Sequence, residues 1–286
     1  MFAGDHGVAA KGVSAYPAEV TAQMMTAFAD GVAAVNVLAA AAGASVRVVD
    51  MAVDADTGEA VSRHKVRRGS GAVDVEDALT ADETVEAVAA GRAVADEETD
   101  GGADLLVIGG MGVGSTTPAA VIASAIIGIE PVAVVGRGPG LDDARWMRKV
   151  TVIRDALRRA RRVMPDPLAL LRTVGGADFA AMAGFLTQAA ARRTPVILDG
   201  LVTGAAALIA EEFAPGARQW WVAGHLADEP AHGLVLEQLE LTALLDLDMR
   251  LGQGTGALAA LPLVQAAARL LADMARLDQS GVTGEA

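Results

Sequence analysis

The sequence predicts an α/β protein with a doubly wound, mostly parallel sheet and helices on both faces. Two observations carry this. Short Val/Ile/Leu runs alternate with longer Ala/Leu/Arg/Glu segments, and glycine-rich turns follow the apolar runs. The runs 44–50, 104–108, 131–135, 195–198 and 220–223 read as strands. Each is nearly continuously apolar, as strands covered on both faces must be. Helices are expected over 17–42, 81–98, 117–127, 142–162, 177–192, 203–212 and 256–277. The segment 54–80 is polar, with Arg63, His64, Lys65, Arg67 and Arg68 close together, and reads as an excursion.

Composition bounds the rest. The 286 residues suffice for one large α/β domain, or for one large and one small. Hydrophobic residues make up 52% and aromatics only 3%, so the core must be packed with Ala, Val, Leu and Met. The net charge of −13 argues against nucleic acid, which needs a basic face. With no cysteine, thiolate metal sites and cysteine nucleophiles are excluded. No histidine spacing suits a metal, and no metal or cofactor is expected. The first residues show no signal-peptide pattern, and runs such as 119–129 are too short to span a bilayer. A soluble, cytoplasmic protein without membrane contact is expected.

Four glycine-rich motifs stand out. Gly4-Asp5-His6-Gly7 opens the chain, followed by Ser14, Tyr16 and the helix start that carries Gln23. Gly109 to Thr117 follows an apolar run and enters a helix. Its glycines let backbone approach an anion, and helix N–H groups with Ser115, Thr116 and Thr117 would hold it. The spacing matches neither a P-loop nor a dinucleotide fingerprint. A third motif, Gly136 to Gly140, leads to Asp142 and Lys149, and the fourth, Leu251 to Gly256, opens the last helix. In a parallel sheet such turns collect at the carboxyl ends of the strands, where ligands bind. His225 follows the run 220–223 and belongs at the same end, whereas His232 reads as a packing residue.

In this order the motifs resemble the nicotinate-nucleotide:dimethylbenzimidazole phosphoribosyltransferase family. The resemblance covers the chain from Gly4 to about 277. It implies transfer of phosphoribose from nicotinate mononucleotide to 5,6-dimethylbenzimidazole, in assembly of the cobalamin lower ligand, by a homodimer. It also implies that the nucleotide meets Gly112, Gly114, Ser115, Thr116, Thr117, Gly138, Asp142 and Lys149. Asp5, His6, Ser14, Tyr16, Gln23, Asp199, His225 and Leu251 are implied on the substrate side, with Met24 and Met25 as apolar walls. Relatives place Glu where this chain has Gln253, and that glutamate acts as the general base. Gln keeps the shape and an acceptor oxygen but cannot take a proton. Gly110 likewise replaces a family glutamate, and Ser115 an asparagine.

The departure at 253 leaves rival readings. The chain acts on another base or a phenol, or it binds ligand without turning it over. Asp5, Asp199 and Glu229 are the candidate substitute carboxylates. One domain over 1–286 is expected, with an α/β core at about 44–250 and helical elements at about 14–42 and 254–277. Family members carry a strand and helices before the first glycine loop, so the chain is expected to be truncated at its start.

Overall fold

The computed structural model describes residues 1–136, 142–276 and 279–280. Chain order is β1 (Phe2–Gly4), α1 (Val20–Ala29), α2 (Ala34–Ala41), β2 (Val49–Ala52), α3 (Glu59–Ser62) and α4 (Ala81–Asp100). Then come β3 (Leu106–Val107), β4 (Gly110–Met111), α5 (Thr116–Ile127), α6 (Pro131–Val134), α7 (Asp143–Ala160) and α8 (Pro167–Val174). The chain continues through α9 (Ala177–Ala191), β5 (Val196–Leu198), α10 (Leu201–Phe213), β6 (Trp221–Leu226), α11 (Pro230–Leu239), β7 (Ala243–Asp246) and α12 (Thr255–Asp273).

All described pairings are parallel, as the alternation predicts. The strands form two sheets, in the orders β2-β1-β4 and β3-β5-β6-β7. The division falls at Ile108-Gly109, where β3 leaves one sheet and β4 enters the other. Gly109 has no room for a side chain, because a Cβ there would run into Met1 Sδ and lie 2.6 Å from the Gly254 amide. The first glycine loop follows a strand: Phe2, Ala3 and Gly4 are buried and pair with β2, and Phe2 and Ala3 pair with β4 as well.

Several expected elements shift. The run 131–135 is not a strand: Glu130 is extended and Pro131 sits at the first helical position, so 131–134 make one helical turn. The expected helix 17–42 is two helices broken at 30–33, and the strand expected over 44–50 begins only at Val49, where Phe2 pairs with it. By length and composition alone, Val20–Ala41 and Thr255–Asp273 would pass as membrane spans, which revises the reading that the apolar runs are too short. The first of these is the broken pair α1 and α2; α12 buries Thr255 to Leu258 and packs on β6.

The scarcity of aromatics shows in how the helices meet. In α9 every residue from Ala177 to Leu186 is buried. A Cβ on Gly91 of α4 would run into the Ala181 carbonyl, and one on Gly184 of α9 would run into Val88. The two helices therefore pack backbone against backbone. α4 begins at a capping box, with Thr80 accepting from the Glu83 amide and Glu83 from the Thr80 amide.

Candidate active site

The carboxyl ends of β4, β5, β6 and β7 converge on one cavity of about 700 Å³. Ligands of parallel sheets collect at this end. Ser14, Tyr16, Gly112, Gly114, Ser115, Thr116, Asp199, His225, Leu251 and Gln253 all line it.

One wall is the turn from β4 into α5. A Cβ on Gly112 would strike the Gly4 carbonyl, so this turn lies directly on β1. Gly114 has φ +88°, a conformation that glycine adopts without strain. The Val113 amide donates to Thr21 Oγ1 at 3.0 Å, which pins the turn to α1. Lys149, only 4% exposed, donates from Nζ to Thr116 Oγ1 at 2.8 Å. Burial lowers the Lys149 pKa, while Glu229 pulls it back up. This ammonium sits behind the turn, with a hydroxyl and a helix N-terminus before it, and an anion would complete the arrangement.

The opposite wall is the start of α12. Gly252, Gln253 and Gly254 all have positive φ, at +70°, +58° and +75°. Asp199, which follows β5, holds this strained turn. Its Oδ2 accepts from the Gly254 amide at 2.9 Å, and its Oδ1 accepts from Gly256 at 2.9 Å and Ala257 at 3.2 Å. Gln253 donates weakly from Nε2 to Met111 Sδ at 3.5 Å. His225 stands 3.5 Å from Asp199 Oδ1, 1% exposed, and its ring fills the space that a side chain on Gly256 would need. Behind it His232 accepts the Ala227 amide at 2.9 Å on Nδ1. Burial and the neighbouring His225 lower its pKa to about 4, which makes it the neutral packing residue expected.

Met24, Leu38, Met111, Leu201 and Val202 supply apolar surface suited to a flat ring. Met25 instead faces the core at 6% exposure. Glu229, from the loop after β6, also lines the cavity. Burial raises its pKa, and Lys149 opposes that rise.

Other expected site residues lie elsewhere. His6 is 2% exposed and bonds Asp178 at 3.1 Å beneath the cavity, with its ring against the Gly112 position. Asp5 accepts the Asp54 amide at 2.8 Å. Gln23 is exposed on α1 and does not line the cavity. Thr117 is fully buried within α5. Asp142 caps α7 through the Arg145 amide at 2.7 Å, and Gly138 falls outside the described residues. Met249 and Arg250 join the cavity without any signal in the sequence.

The chain matches the phosphoribosyltransferase family DBI_PRT over residues 1–282. It is 61% identical over 284 residues to the nicotinate-nucleotide–dimethylbenzimidazole phosphoribosyltransferase of Mycolicibacterium paratuberculosis, spanning 99% of this chain and 81% of that protein. The protein of the same name from Mycobacterium tuberculosis is 59% identical, with 99% and 79% covered. The crystal structure of CobT from Thermus thermophilus superposes with a TM-score of 0.95 at 43% identity, covering 99% of this chain and 85% of that one. The motifs, the parallel sheets and the cavity at their carboxyl ends thus converge with these matches, and the chain belongs to the DBI_PRT phosphoribosyltransferase family.

Proposed function

We propose that this protein transfers phosphoribose from nicotinate mononucleotide to 5,6-dimethylbenzimidazole, releasing nicotinate and forming α-ribazole 5′-phosphate for the cobalamin lower ligand. One observation supports the reading beyond family membership: a single cavity joins a glycine turn backed by Lys149, suited to an anion, to an apolar wall of ring-sized surface. The nucleotide's phosphate would sit at 112–116, and the acceptor ring against Met24, Leu38 and Met111. The pyridinium nitrogen of the donor is already positive, so nicotinate leaves without protonation. The demand falls on the acceptor, whose N–H proton must depart as its bond to C1′ forms. No cofactor is required by this chemistry.

Gln253 favours a second reading, in which another base or a phenol is the acceptor, because an amide can orient an N–H or O–H but cannot take its proton. Purified protein incubated with nicotinate mononucleotide and a panel of benzimidazoles, purines and phenols, with products read by chromatography and mass spectrometry, separates the two. Dimethylbenzimidazole as the preferred acceptor supports the first reading. Preference for another acceptor supports the second, and nucleotide binding without any product supports a non-catalytic ligand-binding role.

The single-domain organisation, with 14–42 and 254–277 as helical elements over an α/β core, is part of this proposal, as is a cytoplasmic location. So is a homodimer. Val37, Leu263, Leu270 and Leu271 leave apolar surface exposed on α2 and α12, which a second copy would cover. Sedimentation at micromolar concentration tests it, and a monomer there would count against it.

A further inference from the structure

We propose that Glu229 is the proton acceptor for the incoming nucleophile, doing the work for which position 253 lacks a carboxylate. This rests on the phosphoribosyl-transfer reading above.

Two carboxylates line the cavity among the described residues, Asp199 and Glu229. Asp199 is occupied by three backbone N–H groups that hold the start of α12, and a proton placed on it would compete with them. The Glu229 carboxylate makes no hydrogen bond to another described residue. It stands at the head of α11 without capping it, and Pro230, which follows, has no N–H to offer. Gly136 leaves it space, since a Cβ there would lie 2.6 Å from Glu229 Oε2. Among the described residues, Glu229 is thus a half-buried acceptor lining the cavity with no hydrogen bond to its carboxylate.

The charges around it are mixed. Lys149 faces it from α7, Asp228 adjoins it in the chain, and Arg250 approaches from the segment after β7. Asp199 and His225 share the cavity wall. Burial outweighs the cations and raises the Glu229 pKa, which brings a carboxylate closer to the strength an N–H base needs near neutrality. In the step proposed, the acceptor nitrogen bonds to C1′ as the C1′–N bond to nicotinate breaks. That bond's electron pair returns to the pyridine nitrogen. The acceptor's N–H proton passes to Glu229 and then to solvent.

The test uses Glu229→Gln, Gln253→Glu and the double variant in steady-state transfer to dimethylbenzimidazole, from about pH 5 to 9. Calorimetry of nicotinate mononucleotide binding and thermal melts accompany the kinetics. Glu229→Gln is expected to lower kcat about 10²-fold or more, to lose the acidic limb of the profile, and to leave nucleotide affinity within about threefold. In the Gln253→Glu background the same change is expected to cost less than about tenfold, because a second carboxylate is present. Glu229→Asp should keep the limb at reduced kcat, and serves in place of Glu229→Gln if that variant melts early.

Parent-like turnover with the acidic limb intact in Glu229→Gln overturns the proposal. So does loss of the limb in His225→Asn but not in Glu229→Gln. So too does a fall in nucleotide affinity equal to the fall in kcat, which would make Glu229 a binding residue. A parent that binds the nucleotide yet transfers nothing overturns Glu229 as acceptor, whereas failure to bind the nucleotide at all overturns the reaction itself.

Discussion

The Gly254 amide donates to Asp199 Oδ2 at 2.9 Å, and that bond ties the end of β5 to the turn that presents Gln253. With the Gly256 and Ala257 amides on the other oxygen, one buried carboxylate satisfies the start of α12. Charge-assisted bonds of this kind are worth more than neutral ones, and a buried acceptor has no water to replace a lost partner. Asp199→Asn is expected to destabilise the fold by about 1–3 kcal/mol, read by denaturant melts. It should also lower transfer, since the turn at 252–254 needs three positive φ values held in place. Unchanged stability would mean that the turn is held by other contacts.

Lys149 tests the anion-binding wall. Lys149→Met keeps the length and the packing of this buried side chain but removes its charge and its bond to Thr116. Nucleotide affinity is expected to fall about tenfold or more, with a smaller effect on the melting temperature. Calorimetry with nicotinate mononucleotide measures it. Undiminished affinity would move the phosphate away from residues 112–116.

Gln253→Glu places a carboxylate of the same volume on the apolar side of the cavity. Transfer to dimethylbenzimidazole should rise in kcat by about tenfold or more, with nucleotide affinity within about threefold. The gain should appear only above the pKa of the new carboxylate. A variant no faster than its parent would show that position 253 orients the acceptor rather than deprotonating it.

The His6–Asp178 pair predicts a pH dependence of stability. Burial alone would lower the His6 pKa, but the Asp178 charge and hydrogen bond, with Asp5 nearby, outweigh it and the net shift is upward. A histidine whose folded pKa is raised stabilises fully below its unfolded value of about 6.5, and the contribution fades as pH rises through the folded pKa. Asp178→Asn removes the charge that retains the proton. The melting-temperature gap between parent and variant should therefore be widest below about pH 6.5 and narrow at higher pH. Parallel curves would show that His6 is neutral throughout.

Legibility in the sequence followed burial. The runs at 195–198 and 220–223 are apolar throughout and became β5 and β6, because two-sided burial leaves an unambiguous pattern. β1 and β4 span three and two residues and carry glycine, so nothing in composition sets them apart from loop. β7 is half exposed and reads as neither strand nor helix. The run at 131–135 has a strand's composition, but a proline at the first helical position decided otherwise. In the site, glycine spacing pointed to 112–116 and 252–256, since close backbone approach leaves a mark in residue type. Asp199 and Glu229 stood together as spare carboxylates. Only their amide partners separate them, and those come from residues more than fifty positions away for Asp199. His6 shows the converse: a binding-loop composition that serves a buried ion pair beneath the floor.

The division of the strands at Ile108-Gly109 bears on how the molecule assembles. β3 and β4 are neighbours in the chain yet belong to different sheets, and each completes its sheet only with partners far off in sequence. Loop-closure entropy must be overcome twice before either pairing is rewarded. The candidate cleft, bounded by the ends of both sheets, can close only after both have formed. Refolding should accordingly show compact species that hold secondary structure before they bind nucleotide, and recovery of ligand binding should be the slowest observable phase.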